Sequence, residues 1–266
     1  MRAAATQFGR SIVAVAADRH GMVPELLEQA CRQHKPGLVY LNPTLQNPTA
    51  VTMPEPRRRE LAGIAQRCQV PIVEDDPYWL LADAAPPPVA TFAPRQVYYL
   101  STLSKCLTPG LRLAFVLIRD PRERERFLAA LRSFALMAAP LTAALATQWI
   151  LDGSAGRLLD GVRQEARLRQ RMARDILAGR YGGAGDGLHV WLELPAYWSA
   201  AQFARAAGSE GIAVTPAETF ATDGVAANAI RISLGSIKER GRLQAGLQRL
   251  SLLLARRPES SSAAVV

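Results

Sequence analysis

The chain has 266 residues, 49% of them hydrophobic and 21% charged, so it can bury a substantial core and is not a disordered or fibrous sequence. Its net charge of +9 comes from arginines dispersed through helical stretches. Without a zinc-finger or other nucleic-acid signature, the excess reads as solvated helix faces or as suited to a phosphate-bearing ligand.

In chain order, Ile12–Ala17 reads as a buried strand and Met22–His34 as a helix. "GLVYLNP" reads as a strand and Met53–Cys68 as a helix. "VPIVED", "QVYYLST" and "LRLAFVLI" read as three further strands. Alternation of strands and helices predicts an α/β fold, a mainly parallel sheet with helices on both faces. From Pro121 to Ile176 the pattern is helical. Phe134–Leu151 is the nearest approach to a membrane span, but Pro140, Thr142, Thr147 and Gln148 make it a buried helix or two helices meeting at the proline. Beyond it, "LHVWLEL", "IAVTP" and "AIRISLG" read as strands and two further stretches as helices, a small C-terminal α+β domain. The expected divisions are 1–125, a partial large domain; 126–179, interdomain helices; 180–256, the small domain; and 257–266, a disordered tail.

Cys31, Cys68 and Cys106 include no CxxC pair, which argues against a disulfide framework and fits a reducing cytoplasm. His20, His34 and His189 lack metal-ligand spacing, so no metal is expected.

Polar clusters follow three strands: Asn47 after "GLVYL", Asp75 after "PIV", and Thr102 and Ser104 after "YYL". Ligands of parallel sheets sit at such strand ends. Lys105 stands among hydroxyls, seven residues before Arg112, with a Pro-Gly turn between. A phosphorylated pyridine aldehyde would need such a set: an amine for a Schiff base, a carboxylate for the ring nitrogen, a phenol and an amide for the ring hydroxyl, and hydroxyls with an arginine for phosphate. Taken singly, each residue has a plain structural reading. Asp75 could cap a turn, Tyr78 could be core, Arg112 could form an ion pair and Arg231 could be a solvated strand arginine.

Together "NPTLQNPTA", "VEDDPYWLL" and "STLSKCLTPGLRLAF" resemble the class I/II aminotransferases, the fold type I enzymes of pyridoxal 5'-phosphate (PLP). The resemblance implies that Asn47 and Tyr78 bind the ring hydroxyl and that Asp75 pairs with the ring nitrogen. Lys105 would be the Schiff-base and proton-transferring lysine, and Thr102, Ser104 and Arg112 would hold phosphate. "NAIRISLG" is similar to the strand whose arginine, here Arg231, grips a substrate carboxylate. Ala50 and Thr102 stand where the family usually has glycine and serine. Family members also carry well over a hundred residues before the equivalent of Gln7, so the resemblance implies an incomplete large domain lacking its N-terminal third.

Three functions follow as expectations. The first is amino-group transfer between an amino acid and a 2-oxo acid, in a protein that is a homodimer at full length. "LHVWLELPAYW" and "GIAVTPAETFA" are most similar to MocR-like regulators of the GntR family, so the second is a domain sensing PLP or an amino compound. Lacking a winged helix, this chain alone would not bind DNA. The third is an inactive remnant. No membrane association is expected.

Overall fold

The computed structural model describes residues 2–177, 181–182, 185–222 and 224–258. In chain order the elements are α1 (Arg2–Gln7), β1 (Ala17–Asp18), β2 (Gly21–Met22), α2 (Pro24–His34), β3 (Val39–Leu41), α3 (Glu55–Cys68), β4 (Ile72–Asp75), α4 (Val89–Phe92), β5 (Val97–Thr102), α5 (Leu103–Cys106), β6 (Ala114–Leu117), α6 (Pro121–Ala135), α7 (Pro140–Leu151), α8 (Ser154–Ile176), β7 (Tyr181–Gly182), β8 (His189–Glu193), α9 (Ala200–Ser209), β9 (Thr215–Pro216), β10 (Ala229–Ser233) and α10 (Arg240–Ala255). They fall into two compact units. One holds residues 13–47 and 51–165; the other holds 1–12, 48–50 and 166–266, so the division passes within α8. Most of the expected tail, residues 259–266, lies outside the described residues.

The first unit is built on a four-stranded sheet of order β3-β4-β5-β6. β3, β4 and β5 run parallel, and β6 returns antiparallel to β5. Burial alternates along β3 and β4, as a period of two requires for a strand with one covered face. The covered face carries Val39, Leu41, Ile72 and Val97 against Leu27 of α2, Leu61 and Ile64 of α3, and Val89 of α4. Each buried aliphatic side chain contributes roughly 1.5–3 kcal/mol. On the other face Tyr40 is exposed, Val73, Asp75, Tyr98 and Leu100 are half-buried, and all four residues of β6 are exposed. The α/β architecture therefore stands, but helices cover one face closely and leave the other half open.

Two local expectations are corrected. Ile12–Ala16 is not a strand: Ile12 and Val13 are exposed, and pairing begins only in the two-residue hairpin of β1 and β2. There Asp18 is held by Arg57 at 3.0 Å, so an ion pair and a two-stranded hairpin, not a strand of the main sheet, anchor the segment. Phe134–Leu151 does break at the proline into α6 and α7, yet it is not buried. Phe134, Leu141 and Leu151 are each close to 80% exposed, and Ala146 is the one buried residue of α7.

The second unit carries an antiparallel sheet of order β7-β8-β10-β9. Val190, Leu192, Ile230 and Ile232 pack with Phe203 of α9 and Leu243, Leu247 and Leu250 of α10. α9 opens on a capping box, Ser199 with Gln202, which satisfies two orphan donors of its first turn. The arginines of α8 are not all on a solvated face. Arg169 is buried and donates to the carbonyls of Leu234, Ile237 and Lys238 at 2.5–2.9 Å, closing the turn after β10.

Candidate active site

Three strand ends of the first unit meet at one edge of the sheet. After β3 the chain makes a loop closed by three hydrogen bonds: Met53 N–H to Pro43 O (2.8 Å), Leu45 N–H to Thr52 Oγ1 (3.1 Å) and Gln46 N–H to Val51 O (2.8 Å). Asn47 sits near its tip. The Asn47 N–H donates to Asn42 Oδ1 at 2.9 Å, and Asn42 Nδ2 donates to the Asp75 carbonyl at 2.5 Å. One amide thus ties the Asn47 loop to the end of β4. Ala50, where the family pattern has glycine, adopts φ +56°, a left-handed conformation that costs an L-residue about 1 kcal/mol.

The base of this loop is fixed by Arg58, fully buried in α3. Its guanidinium donates to Met53 O, Pro43 O, Pro87 O and Thr44 Oγ1 at 2.9–3.4 Å. Two buried carboxylates lie near it on the helix-covered face. Glu74 accepts from the Val89 and Ala90 N–H groups at 2.8 and 2.9 Å, capping α4. Asp76 accepts from Thr44 Oγ1 at 3.0 Å through Oδ2, while its Oδ1 has no partner among the described residues. Burial pushes the Asp76 carboxyl up to about 7; Glu74 and Asp75 add to the rise, and Thr44 and Arg58 oppose it.

Asp75 lies between these two acids in sequence but on the opposite face. In register β4 places it beside Leu100 of β5, so Asp75, Leu100 and Thr102 share the half-open face with Tyr40. Tyr40 donates its hydroxyl to Asp75 Oδ2 at 2.5 Å. Burial, and then this bond, push the Tyr40 phenol well above its ordinary range; Tyr78, itself buried, adds a smaller charge effect. Sequence reasoning missed Tyr40 and Asn42, although both stand in the strand end "VYLN" where parallel sheets place ligands.

At the end of β5, Thr102 accepts the Ser104 N–H at 3.2 Å, lies 3.0 Å from Ser104 Oγ and bonds Leu113 O at 2.9 Å. A carbonyl can only accept, so the one Thr102 hydroxyl hydrogen is taken by Leu113 and Thr102 acts as the cap of α5. Lys105 and Arg112 are both exposed, and neither forms a hydrogen bond or ion pair among the described residues. Arg112 has φ +48°, which ends the turn Pro109–Leu111 and starts the antiparallel return of β6. Two cations without ion partners among the described residues and a part-exposed serine hydroxyl follow β5, next in the sheet to the strand that ends on the outward-facing Asp75; an anionic, nitrogen-containing ligand needs these kinds of group.

Arg231 belongs to the second unit. It is half-buried in β10, its Nη2 3.5 Å from Thr215 Oγ1 and its guanidinium carbon 4.9 Å from the Phe220 ring centre. Asn47, Asp75, Tyr78, Thr102, Ser104, Lys105 and Arg112 all belong to the first. Among the described residues no group of His, Cys, Asp or Glu could hold a metal ion, and no helix is long and apolar enough to cross a membrane.

The sequence profile of the family "Aminotransferase class I and II" matches residues 4–250. The chain belongs to that family. It is 33% identical, over 96% of its length, to the HTH-type transcriptional regulator YdeF of Bacillus subtilis, and 29% identical over 92% to the 2-aminoadipate transaminase of Thermus thermophilus. It spans 55% of the first relative and 64% of the second. Among solved structures it is similar to the Pyrococcus horikoshii kynurenine aminotransferase, with a TM-score of 0.85 at 25% identity, covering 96% of this chain and 67% of that one. The α-aminoadipate aminotransferase LysN of Thermus thermophilus, complexed with a phosphopyridoxyl-leucine, aligns with a TM-score of 0.83 at 30% identity, covering 92% and 66%. These enzymes share its fold, and the family is PLP-dependent.

Proposed function

We propose that this chain carries the PLP-binding part of an aminotransferase-type protein acting between an amino acid and a 2-oxo acid. What supports the reading is the topology: parallel β4 and β5 end at one edge of the sheet, β4 on the outward-facing Asp75, while Ser104, Lys105 and Arg112 follow β5, the two cations without ion partners among the described residues. When bound, PLP supplies an electron-accepting ring. Lys105 Nζ anchors it and takes and returns a proton during transfer. Asp75 keeps the ring nitrogen charged, and its place on the open face, against the burial of Asp76, supports that choice between neighbours. Ser104 and Arg112 hold the phosphate, with Thr102 holding the turn that presents Ser104. Asn47 and Tyr78 address the ring hydroxyl. Arg231 takes the substrate carboxylate, a role resting on its motif. The full protein is a cytoplasmic homodimer in this reading.

The 33% identity to an HTH-type regulator supports a second reading, in which the same residues sense PLP or an amino compound on behalf of a DNA-binding segment. One experiment separates the readings. PLP is added, borohydride reduction fixes it, and the labelled peptide is mapped; an amino-acid half-reaction is then followed by visible absorbance. Labelling of Lys105 with turnover supports the enzyme, and labelling without turnover supports the sensor. Labelling of Lys35 or Lys238 in place of Lys105 overturns the site.

A further inference from the structure

A second chemical site lies at the other edge of the same sheet. α2 and α3 pack side by side on the covered face, and each ends just before the strand it feeds, β3 or β4. Their last turns therefore lie at the edge opposite the ends of β3, β4 and β5 that carry Asn47, Asp75 and Lys105. Each of these last turns carries a cysteine: Cys31, which is 6% exposed, and Cys68, which is half-buried. Both line one surface groove together with Glu28, Arg32, Lys35 and Arg67. The two thiols thus stand on neighbouring helix ends and line the same groove.

The charged groups around the pair are unequal. Glu28 is the one carboxylate, and it is held between Arg32 at 3.1 Å and Arg67 at 3.4 Å, the latter bridging the two helices. Three cations against one anion leave the groove positive. A positive groove draws anionic reagents to the accessible cysteine. Cys106, the third cysteine, is buried elsewhere with its Sγ 3.4 Å from Thr102 O.

We propose that Cys31 and Cys68 form a dithiol modification site that closes to a disulfide by exchange with an anionic low-molecular-weight disulfide of the glutathione type. The part-exposed Cys68 reacts first. Its thiolate attacks one sulfur of the reagent, the reagent S–S bond breaks, and one small thiolate leaves. Cys31 then gives up its proton and attacks Cys68 Sγ. The mixed disulfide breaks, the Cys31–Cys68 bond forms, and the second small thiolate leaves. Two protein thiols are oxidised and one small disulfide is reduced to two small thiols, which take up the two protons that the protein thiols give up. At 6% exposure Cys31 is screened from solutes, so the disulfide within its reach is the one formed on Cys68 in the shared groove.

The test uses the whole chain and glutathione disulfide as the probe. After incubation, alkylation under denaturing conditions and digestion without reductant, the expected result is a two-hydrogen mass loss, a peptide joining Cys31 to Cys68, and Cys106 alkylated. Cys31→Ser should stop at a stable glutathione adduct on Cys68, and Cys68→Ser should show no adduct on Cys31. An adduct that persists on Cys68 of the unaltered chain while Cys31 stays alkylatable would overturn the proposal, as would alkylation of all three cysteines. The unaltered chain decides the matter even if a variant folds poorly.

Discussion

The Tyr40 hydroxyl donates to Asp75 Oδ2 across neighbouring parallel strands. That bond fixes the direction of the one outward-facing carboxylate at the strand ends, and Asn42 fixes the backbone beneath it. A charge-assisted hydrogen bond contributes about 1.5–3 kcal/mol. Tyr40→Phe removes it while keeping the ring. PLP binding, titrated by visible absorbance, should weaken about tenfold in that variant. Folding stability should fall by less than the full value of the bond, about 1 kcal/mol, because Tyr40 is partly exposed. A variant that binds PLP as well as the unaltered chain would separate Tyr40 from the orientation of Asp75.

Exchange of the two neighbouring acids should divide binding from folding. Asp75→Asn should slow any amino-acid half-reaction by at least about a hundredfold, a magnitude common for the loss of a group that orients a reacting centre. Its unfolding midpoint should stay near that of the unaltered chain. Asp76→Asn should do the reverse, since Asp76 is buried on the far face. Half-reaction kinetics and urea unfolding on both variants check this pair.

Arg58→Met should destabilise the first unit by about 3–5 kcal/mol, because it leaves the Pro43, Met53 and Pro87 carbonyls and buried acids without their cation. Proteolysis within the loop 43–53 should accelerate in parallel. A small effect on both measurements would show that the loop closes without the guanidinium.

The grouping of the strand-end residues was legible in the sequence because motif and topology agree. Asp75, Thr102 and Ser104 each follow an apolar run by a fixed step, and parallel strands bring such ends to one edge. Burial of charge was less legible. Arg58 sits in "RRRE" and Arg169 among the arginines of α8, where nothing in spacing distinguishes a buried guanidinium from a solvated one. Only the carbonyls they meet, 5 to 69 positions away in the chain, make the difference. The run Ile12–Ala17 failed for a related reason, since a strand needs a partner and pattern alone does not supply one. The face on which a strand residue lands is a matter of register. That is why Tyr40, an apparent core residue of "LVYL", stands beside Asp75.

Asp76 gives the last prediction its sign. In the unfolded chain an aspartate loses its proton near pH 4, whereas burial holds the folded Asp76 protonated up to about 7. Between those values the folded state binds more protons than the unfolded state, so the free energy of unfolding falls as pH rises. The stabilising contribution is fully present below about pH 4 and is lost above about pH 7, where the cost of the buried charge remains. Glu74, also raised by burial, acts in the same direction. Carboxylates lowered by hydrogen bonds, such as Asp18 and Glu123, act in the opposite direction, so the slope of the unaltered chain is a sum. The difference between it and Asp76→Asn isolates one group. Asn keeps an acceptor for Thr44 and carries no charge at any pH. Relative to the unaltered chain, the variant should gain stability on the order of 3 kcal/mol between pH 5 and pH 8. Urea unfolding at those two values measures it, and equal changes in both proteins would show that Asp76 is already ionised at the lower pH.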